Sequence, residues 1–275
     1  MQIIEKDIDW LLERVPDFMQ FYDNHRTMFE GGYLAGGFMR AMILKGSAEA
    51  ASPSSQSNLA GDIDFFYFTP VFCHNAISEI AKVVYAKQKI GRFSSNPSVT
   101  GYAHDFYDRQ TQVKYQLIIK NTGSPYEVLN RFDISNCKIA TDGKKVWMIE
   151  DWEQLENNKQ IRIDNYAGDY IFKRVKKYLF RNKGYTLWNQ NRDEMIPKML
   201  ERSNKDPASI RSLLNVMKDS FTKEKITIFY GLLGNIDETE KDGTYEAGSL
   251  NKEEDFALHM YKRMAEKEIT VTVTV

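Results

Sequence analysis

The sequence predicts an α/β fold in which a small mixed sheet, flanked by helices, is followed by a mainly helical C-terminal region. Up to residue 167, segments with apolar residues at helical spacing alternate with short runs rich in aromatic and β-branched residues. From Gly168 onward helical patterns dominate. A chain of 275 residues is long enough for two domains, which we place at 1–167 and 168–275.

The first domain begins with a predicted amphipathic helix over 5–28, where apolar residues recur at helical spacing. Residues 33–35 predict a short strand, and the strong helix formers at 38–45 predict a helix that ends at Gly46. The segment 47–60 is rich in Ser, Ala and Asn and predicts a loop. Further strands are predicted at 63–69, 102–107, 112–119, 132–140 and 146–149, and further helices at 71–89 and 125–130.

The second domain consists mainly of helical patterns. The strict alternation of Thr and Val at 269–275 predicts a terminal strand. Such a strand either joins the sheet of this chain, which we favour, or offers a pairing edge to another subunit. The predicted helices are 170–181, 192–202, 208–219, 223–233 and 253–267.

Composition excludes several classes of protein. A hydrophobic content of 42% and an aromatic content of 13% are too high for a globally disordered chain. Cys73 and Cys137 have no metal-ligand spacing and form no disulfide framework. The N-terminus lacks the features of a signal peptide, and no run approaches the roughly 18 apolar residues of a membrane span. We therefore expect an intracellular, cytoplasmic protein without a membrane partner.

The most informative feature is a glycine pair that precedes an acidic strand. Gly36 and Gly37 lead into the predicted helix, which carries Arg40 in its first turn. Free N–H groups at a helix start favour an anion, and an arginine there can bind phosphate through two hydrogen bonds. Asp62 and Asp64 lie two residues apart on a strand, so both project from one face and attract a divalent cation such as Mg²⁺. The sequence thus predicts a metal site beside a phosphate cradle.

These residues resemble a known signature. Residues 36–46 together with Asp62 and Asp64 are similar to the DNA polymerase β-like nucleotidyltransferase superfamily, and in pattern to its branch of CCA-adding enzymes and bacterial poly(A) polymerases. The resemblance is specific over 31–69 and looser to about residue 185. Ala41 departs from the branch, which has an acid at that place. The block Gly-Gly-x-x-Arg-Asp-x-x-Leu-x-Gly is matched at Gly36, Gly37, Arg40, Leu44 and Gly46.

The resemblance implies a mixed sheet of the nucleotidyltransferase type and the transfer of a nucleotidyl group from an NTP to a hydroxyl acceptor. It also implies two Mg²⁺ ions, or Mn²⁺ in their place, bound by Asp62, Asp64 and a third carboxylate on an adjacent strand. We assign the third carboxylate to Asp133 in the strand-like run 132–140, where it would also deprotonate or orient the attacking hydroxyl. Asp105 and Asp108 are competing candidates.

The predicted helix 170–181 is rich in basic residues. It resembles the basic helix that follows the catalytic domain in these enzymes, which assigns Lys177 and Arg181 to the triphosphate or to an RNA backbone. A solvated basic face is the alternative. This helix favours an RNA 3′ end, such as that of tRNA, as the acceptor.

Two other functions stay open at the level of sequence. The templating motif of CCA-adding enzymes has no convincing counterpart here, since no arginine follows Asp151 and Glu153 at the needed spacing. The second hypothesis is therefore transfer of the nucleotide to a protein side chain or to a small molecule, as in toxin-type relatives. The third hypothesis is a non-catalytic RNA-binding protein that retains the fold.

Overall fold

The computed structural model divides the chain into two compact units, Met1–Ile171 and Phe172–Val275. The predicted domain boundary at 167–168 lies outside the described residues and stays a prediction. The helices predicted from 192 onward and the terminal strand lie outside them too. The residues that the structure describes are 2–51, 62–88, 93–97, 101–109, 111, 113–164, 174–175, 177–179, 182, 184–188 and 191.

The first unit contains an eight-stranded mixed sheet flanked by helices, as the sequence predicts. Its strands are β1 Ile3–Asp7, β2 Gly32–Ala35, β3 Ile63–Tyr67, β4 Phe93–Pro97, β5 Ala103–Asp108, β6 Val113–Ile118, β7 Ile139–Thr141 and β8 Lys145–Ile149. The helices are α1 Asp9–Leu12, α2 Phe18–Asn24, α3 Arg26–Phe29, α4 Gly37–Lys45, α5 Ala48–Ala51, α6 Pro70–Gln88, α7 Pro125–Asn130 and α8 Trp152–Asn157, with a 3₁₀ turn at Ser135–Cys137. Two further short strands are β9 Gln160–Ile161 and β10 Thr186–Leu187, the latter in the second unit.

The strand order across the sheet is β1-β8-β7-β2-β3-β6-β5-β4. Neighbouring strands run antiparallel except β3 and β6, which are parallel. The register aligns four residues across the middle of the sheet. Ala35 lies opposite Asp64, Asp64 opposite Gln116, and Gln116 opposite Asp105. Directly opposed residues share a face of a pleated sheet, so these side chains lie in one row.

The face of β3 that lies opposite Asp64 packs into the hydrophobic core. Ile63 and Phe65 are 1% and 0% exposed and alternate with Asp64 along the strand. The ring of Phe29 meets Phe65 edge to face, with 5.1 Å between the ring centroids. Burial of aromatic and branched residues on this face stabilises the sheet. The opposite face of β3 carries Asp64 next to the buried Phe66.

The predicted helix over 5–28 is wrong in its first part. Residues 3–7 form β1, an edge strand in which Ile3 pairs with Ile149 of β8. The rest is divided among α1, α2 and α3. Pro16 lies between α1 and α2, and proline interrupts a helix because it lacks an N–H group and clashes with the preceding turn.

The predicted loop 47–60 and the predicted strand 132–140 also need correction. Ala48–Ala51 is a short helix, whose start is held by hydrogen bonds from the Ala48 amide and the Ser47 hydroxyl to Asp17, while 52–60 lies outside the described residues. In 132–140, β7 begins only at Ile139 and is preceded by the 3₁₀ turn. None of the described helices is long and apolar enough to cross a membrane.

Candidate active site

The glycine pair lies between the end of β2 and the start of α4. Gly36 has φ 89° and ψ −147°, a backbone conformation that side-chain-bearing residues rarely adopt. Its amide donates to the carbonyl oxygen of Ile139 at 3.1 Å, and its carbonyl oxygen accepts from the Arg40 amide at 3.1 Å. A Cβ atom on Gly36 would lie 3.9 Å from Oδ2 of Asp64 and 3.6 Å from Cε2 of Phe132. The predicted phosphate turn and the predicted metal ligand Asp64 are therefore adjacent.

Asp62 and Asp64 are both half-buried, whereas Ile63 between them is buried. This alternation confirms that the two carboxylates project from one face of β3. The Oδ1 atom of Asp64 is shielded from solvent, while the side chain of Asp62 is 35% exposed. The carboxylate of Asp64 is thus partly shielded within the sheet surface, and that of Asp62 is more open to solvent.

A third carboxylate on the same face belongs to Asp105 of β5. Gln116, on the intervening strand β6, donates from Nε2 to Oδ1 of Asp105 at 2.8 Å. Lys114, also on β6, has its Nζ atom 3.2 Å from Oδ2 of Asp105 and 3.7 Å from Oδ1 of Asp62. We call Asp62, Asp64 and Asp105 the acidic face. Of the two alternatives that the sequence leaves for the third carboxylate, Asp105 is thus on the face that carries Asp62 and Asp64.

Asp133 does not lie on a strand next to β3, whose neighbours are β2 and β6. It lies in a bend between α7 and the 3₁₀ turn, and its carbonyl oxygen accepts from the Asp164 amide at 2.8 Å. The preceding Phe132 packs against Phe66 of β3, with 5.5 Å between the ring centroids. The strand prediction is wrong here because the residue is fixed by long-range contacts. Its assignment as a catalytic metal ligand stays a prediction.

The donor chemistry of Asp62 and Asp64 fits a divalent cation. Carboxylate oxygens are the ligands that Mg²⁺ prefers. The ammonium group of Lys114 lies 3.7 Å from Oδ1 of Asp62, so a cationic group already pairs with this carboxylate. Within the part of the chain that the structure describes, no three or more His, Cys, Asp or Glu side chains are grouped so that they could hold a metal ion. The predicted set of Asp62, Asp64 and Asp133 is therefore not assembled there as one cluster.

Arg40 lies in the interior rather than at the surface. Its side chain forms a two-point ion pair with Glu156 of α8, with Nε 2.6 Å from Oε1 and Nη2 2.9 Å from Oε2. Asn136 donates to the same Oε1 atom at 2.7 Å and to the carbonyl oxygen of Gln160 at 2.9 Å. These contacts attach the first turn of α4 to α8. The predicted contact of Arg40 with phosphate stays a prediction.

A second charged cluster, in which Lys138 and Arg162 are buried, lies beside the bend at Asp133. Lys138 is 1% exposed, and its Nζ atom lies 2.9 Å from Oδ2 of Asp164. Arg162 pairs with the other oxygen of Asp164 at 3.1 Å and with Asp151, and it donates to the Ser135 hydroxyl at 3.0 Å. The sequence does not predict this cluster, because its members come from separate segments and have no common spacing.

Only part of the predicted basic helix falls within the described residues. Val175 and Tyr178 are buried, and Lys177 is exposed. The guanidinium carbon of Arg174 lies 5.9 Å from the centre of the Tyr178 ring. Arg181 lies outside the described residues. The assignment of Lys177 and Arg181 to nucleotide binding stays a prediction.

No protein-family model and no curated protein matches this chain. Among solved structures, a CCA-adding enzyme in complex with CTP is 14% identical over 86% of this chain and 56% of its own, with a TM-score of 0.51. A CCA-adding enzyme in complex with ATP is 14% identical over 85% and 54%, with a TM-score of 0.50. The Thermotoga maritima CCA-adding enzyme complexed with tRNA is 16% identical over 98% and 64%, with a TM-score of 0.49.

The chain thus spans less than two thirds of the length of these enzymes. At such low identity the likeness establishes the fold alone. The protein has a nucleotidyltransferase-type fold.

Proposed function

We propose that the protein is a metal-dependent nucleotidyltransferase, which transfers a nucleotidyl group from an NTP to a hydroxyl acceptor. One observation carries the proposal: the Gly36 turn lies within about one atomic contact of Asp64, with 3.9 Å between a Cβ placed on Gly36 and Oδ2. A helix start that favours anions thereby adjoins carboxylates that favour a divalent cation. Nucleotide triphosphates bound to Mg²⁺ require both surfaces side by side.

Each part of the site has a role in this chemistry. Asp62 and Asp64 would hold Mg²⁺, which when bound supplies charge neutralisation at the reacting phosphate. The amides at the start of α4 orient the phosphate groups, and Gly36 supplies the backbone conformation of the turn at φ 89°, which glycine adopts readily. Asp105 or Asp133 accepts the proton of the attacking hydroxyl. The contribution of the protein is mainly positioning and electrostatics.

An RNA 3′ end, such as that of tRNA, is the acceptor that we propose. Support comes from the sequence resemblance to CCA-adding enzymes and from the exposed Lys177 on the basic helix, since lysines bind RNA through its phosphates. The solved CCA-adding enzymes of similar fold are complexes with CTP and with ATP, so these two nucleotides are the first to test.

The proposal is tested by incubating the full chain with labelled NTPs, Mg²⁺ and total RNA. The variant Asp62→Ala/Asp64→Ala should lower the incorporation of label into RNA by about a hundredfold or more, because the charge of the phosphate is no longer neutralised. Asp9→Ala/Asp23→Ala is the matched control, since it removes two exposed carboxylates from α1 and α2 and should leave incorporation unchanged.

The location of the label decides among the alternatives. Label on protein or on a small molecule, lost in the Asp62→Ala/Asp64→Ala variant, would keep the chemistry and replace the acceptor. RNA binding without any label that depends on these aspartates would overturn the enzymatic proposal and favour a non-catalytic RNA-binding protein.

A further inference from the structure

We propose that Lys114 is a built-in cation of the acidic face, which competes with a metal ion for Asp62 and thereby sets the metal affinity of the site. The inference rests on the proposed function, because it concerns the same carboxylates. It assigns a positioning role to a residue that neither the sequence pattern nor the fold comparison singles out.

The position of Lys114 carries the proposal. β6 lies between β3 and β5, so the side chain of Lys114, its second residue, can reach the strands on both sides. The Nζ atom of Lys114 lies 3.7 Å from Oδ1 of Asp62 on one side and 3.2 Å from Oδ2 of Asp105 on the other. One ammonium group therefore bridges two of the three carboxylates, as a bound cation would.

The acidic face and Lys114 together carry more negative than positive charge. Asp62, Asp64 and Asp105 contribute three negative charges, Lys114 contributes one positive charge, and Gln116 satisfies Asp105 without adding charge. A divalent ion on Asp62 must displace the ammonium group or remain close to it, and both cost free energy. A neutral side chain at 114 should therefore raise the affinity for a metal ion.

The side chain of Lys114 is suited to such a role. It is 34% exposed, so its head group can leave the carboxylates and turn to solvent. Lysine is a compact point charge on a flexible stem and makes no fixed two-point contact with a carboxylate. The ammonium group thus offsets the repulsion between the carboxylates in the metal-free protein. It can turn to solvent when a metal ion binds.

The test measures Mn²⁺ binding to the full chain without nucleotide, by electron paramagnetic resonance of the free ion. Lys114→Met should bind Mn²⁺ about tenfold more tightly than the unmodified protein, the order expected when one unit charge is removed a few ångströms from a divalent ion near a protein surface. Lys114→Arg keeps the charge and should keep the weaker affinity. Lys82→Met removes an exposed lysine that pairs with Glu79 on α6 and should change nothing.

The outcomes separate this proposal from the proposed function. Asp62→Asn removes one carboxylate charge from the metal site and should weaken Mn²⁺ binding whether or not Lys114 has the proposed role. Weakening by Asp62→Asn together with unchanged affinity in Lys114→Met would overturn the role of Lys114 and leave the metal site standing. Absence of Mn²⁺ binding in both the unmodified protein and Lys114→Met would overturn both. Thermal unfolding of each variant confirms that it is folded when it is measured.

Discussion

The ion pair between Arg40 and Glu156 joins α4 and α8 through two hydrogen bonds between buried charges. Arg40 is 2% exposed and Glu156 is 8% exposed. We predict that Glu156→Gln lowers the free energy of unfolding by about 3–5 kcal/mol, because it removes the carboxylate charge from a buried ion pair and leaves the guanidinium charge in place. Urea-induced unfolding followed by circular dichroism measures the change.

The control for this prediction is an ion pair at the surface. Glu79 and Lys82 lie 2.6 Å apart on α6, and both side chains are more than half exposed. Glu79→Gln should lower the free energy of unfolding by no more than about 1 kcal/mol, since water and salt screen such pairs. Equal losses in the two variants would contradict a structural role for the buried pair.

At the scale of elements, the start of α4 depends on the backbone of Gly36. The nearest atoms to a Cβ at Gly36 are at 3.6 Å and 3.9 Å, which are ordinary contact distances, so an added methyl group finds room. The cost of Gly36→Ala therefore comes from the conformation at φ 89° and ψ −147°, and we predict a loss of about 1–3 kcal/mol in the free energy of unfolding.

Gly46 at the other end of α4 is the matched control. It has φ 66° and ψ 18°, the left-handed conformation that ends many helices and that asparagine also adopts. Gly46→Asn should be tolerated better than Gly36→Asn in the same urea titration. Equal losses in the free energy of unfolding for the two asparagine variants would show that the backbone conformation at Gly36 does not cause the loss in Gly36→Ala.

Elements defined by neighbouring residues are the ones that the sequence predicts. The capping box in which Ser124 and Glu127 bond each other's amides is present at the start of α7. The strands predicted at 102–107 and 112–119 are present as β5 and β6, which pair antiparallel. The edge strands β1 and β4 are not predicted. β1 is fixed by β8, which lies more than a hundred residues away, and β4 contains Ser, Asn and Pro, which do not favour strands.

The same distinction between local and long-range contacts applies to the candidate site. The proximity of the glycine pair to Asp64 follows from their order along the chain and from the pairing of β2 with β3. The positions of Lys114 and Asp105 on the same face could not be predicted, because they depend on the parallel pairing of β3 with β6. A shift of that register by one residue would turn both Lys114 and Gln116 to the opposite face.

At the scale of the whole molecule, β3 brings the aromatic core and the acidic face close together. One face of the strand packs Ile63 and Phe65 into the core, and the other carries Asp64 next to the buried Phe66, so the same strand contributes to stability and to the proposed chemistry. The aromatic side also buries a titratable group. Nδ1 of His25 is 2.8 Å from the carbonyl oxygen of Phe21, and Nε2 is 3.1 Å from the hydroxyl of Tyr115.

Acid should therefore destabilise the folded chain. Burial lowers the pKa of His25, against the opposing effect of its hydrogen bond to Phe21, and burial also lowers the pKa of His104, against the nearby charge of Asp105. As the pH falls through about 6.5, the ordinary pKa of histidine, the unfolded chain takes up protons that the folded chain does not. The free energy of unfolding should accordingly fall between pH 7.5 and about 5.5.

Replacement of the histidines tests the predicted loss of stability at low pH. His25→Gln should reduce the dependence of the urea midpoint on pH, and His25→Gln/His104→Gln should reduce it further, because each variant removes a group that takes up a proton more readily in the unfolded chain. Both variants must be compared at pH 7.5, where the histidines are mostly neutral in either state, to separate lost contacts from titration. A midpoint that rises on acidification, or a slope unchanged in the double variant, would contradict the assignment of this pH dependence to His25 and His104.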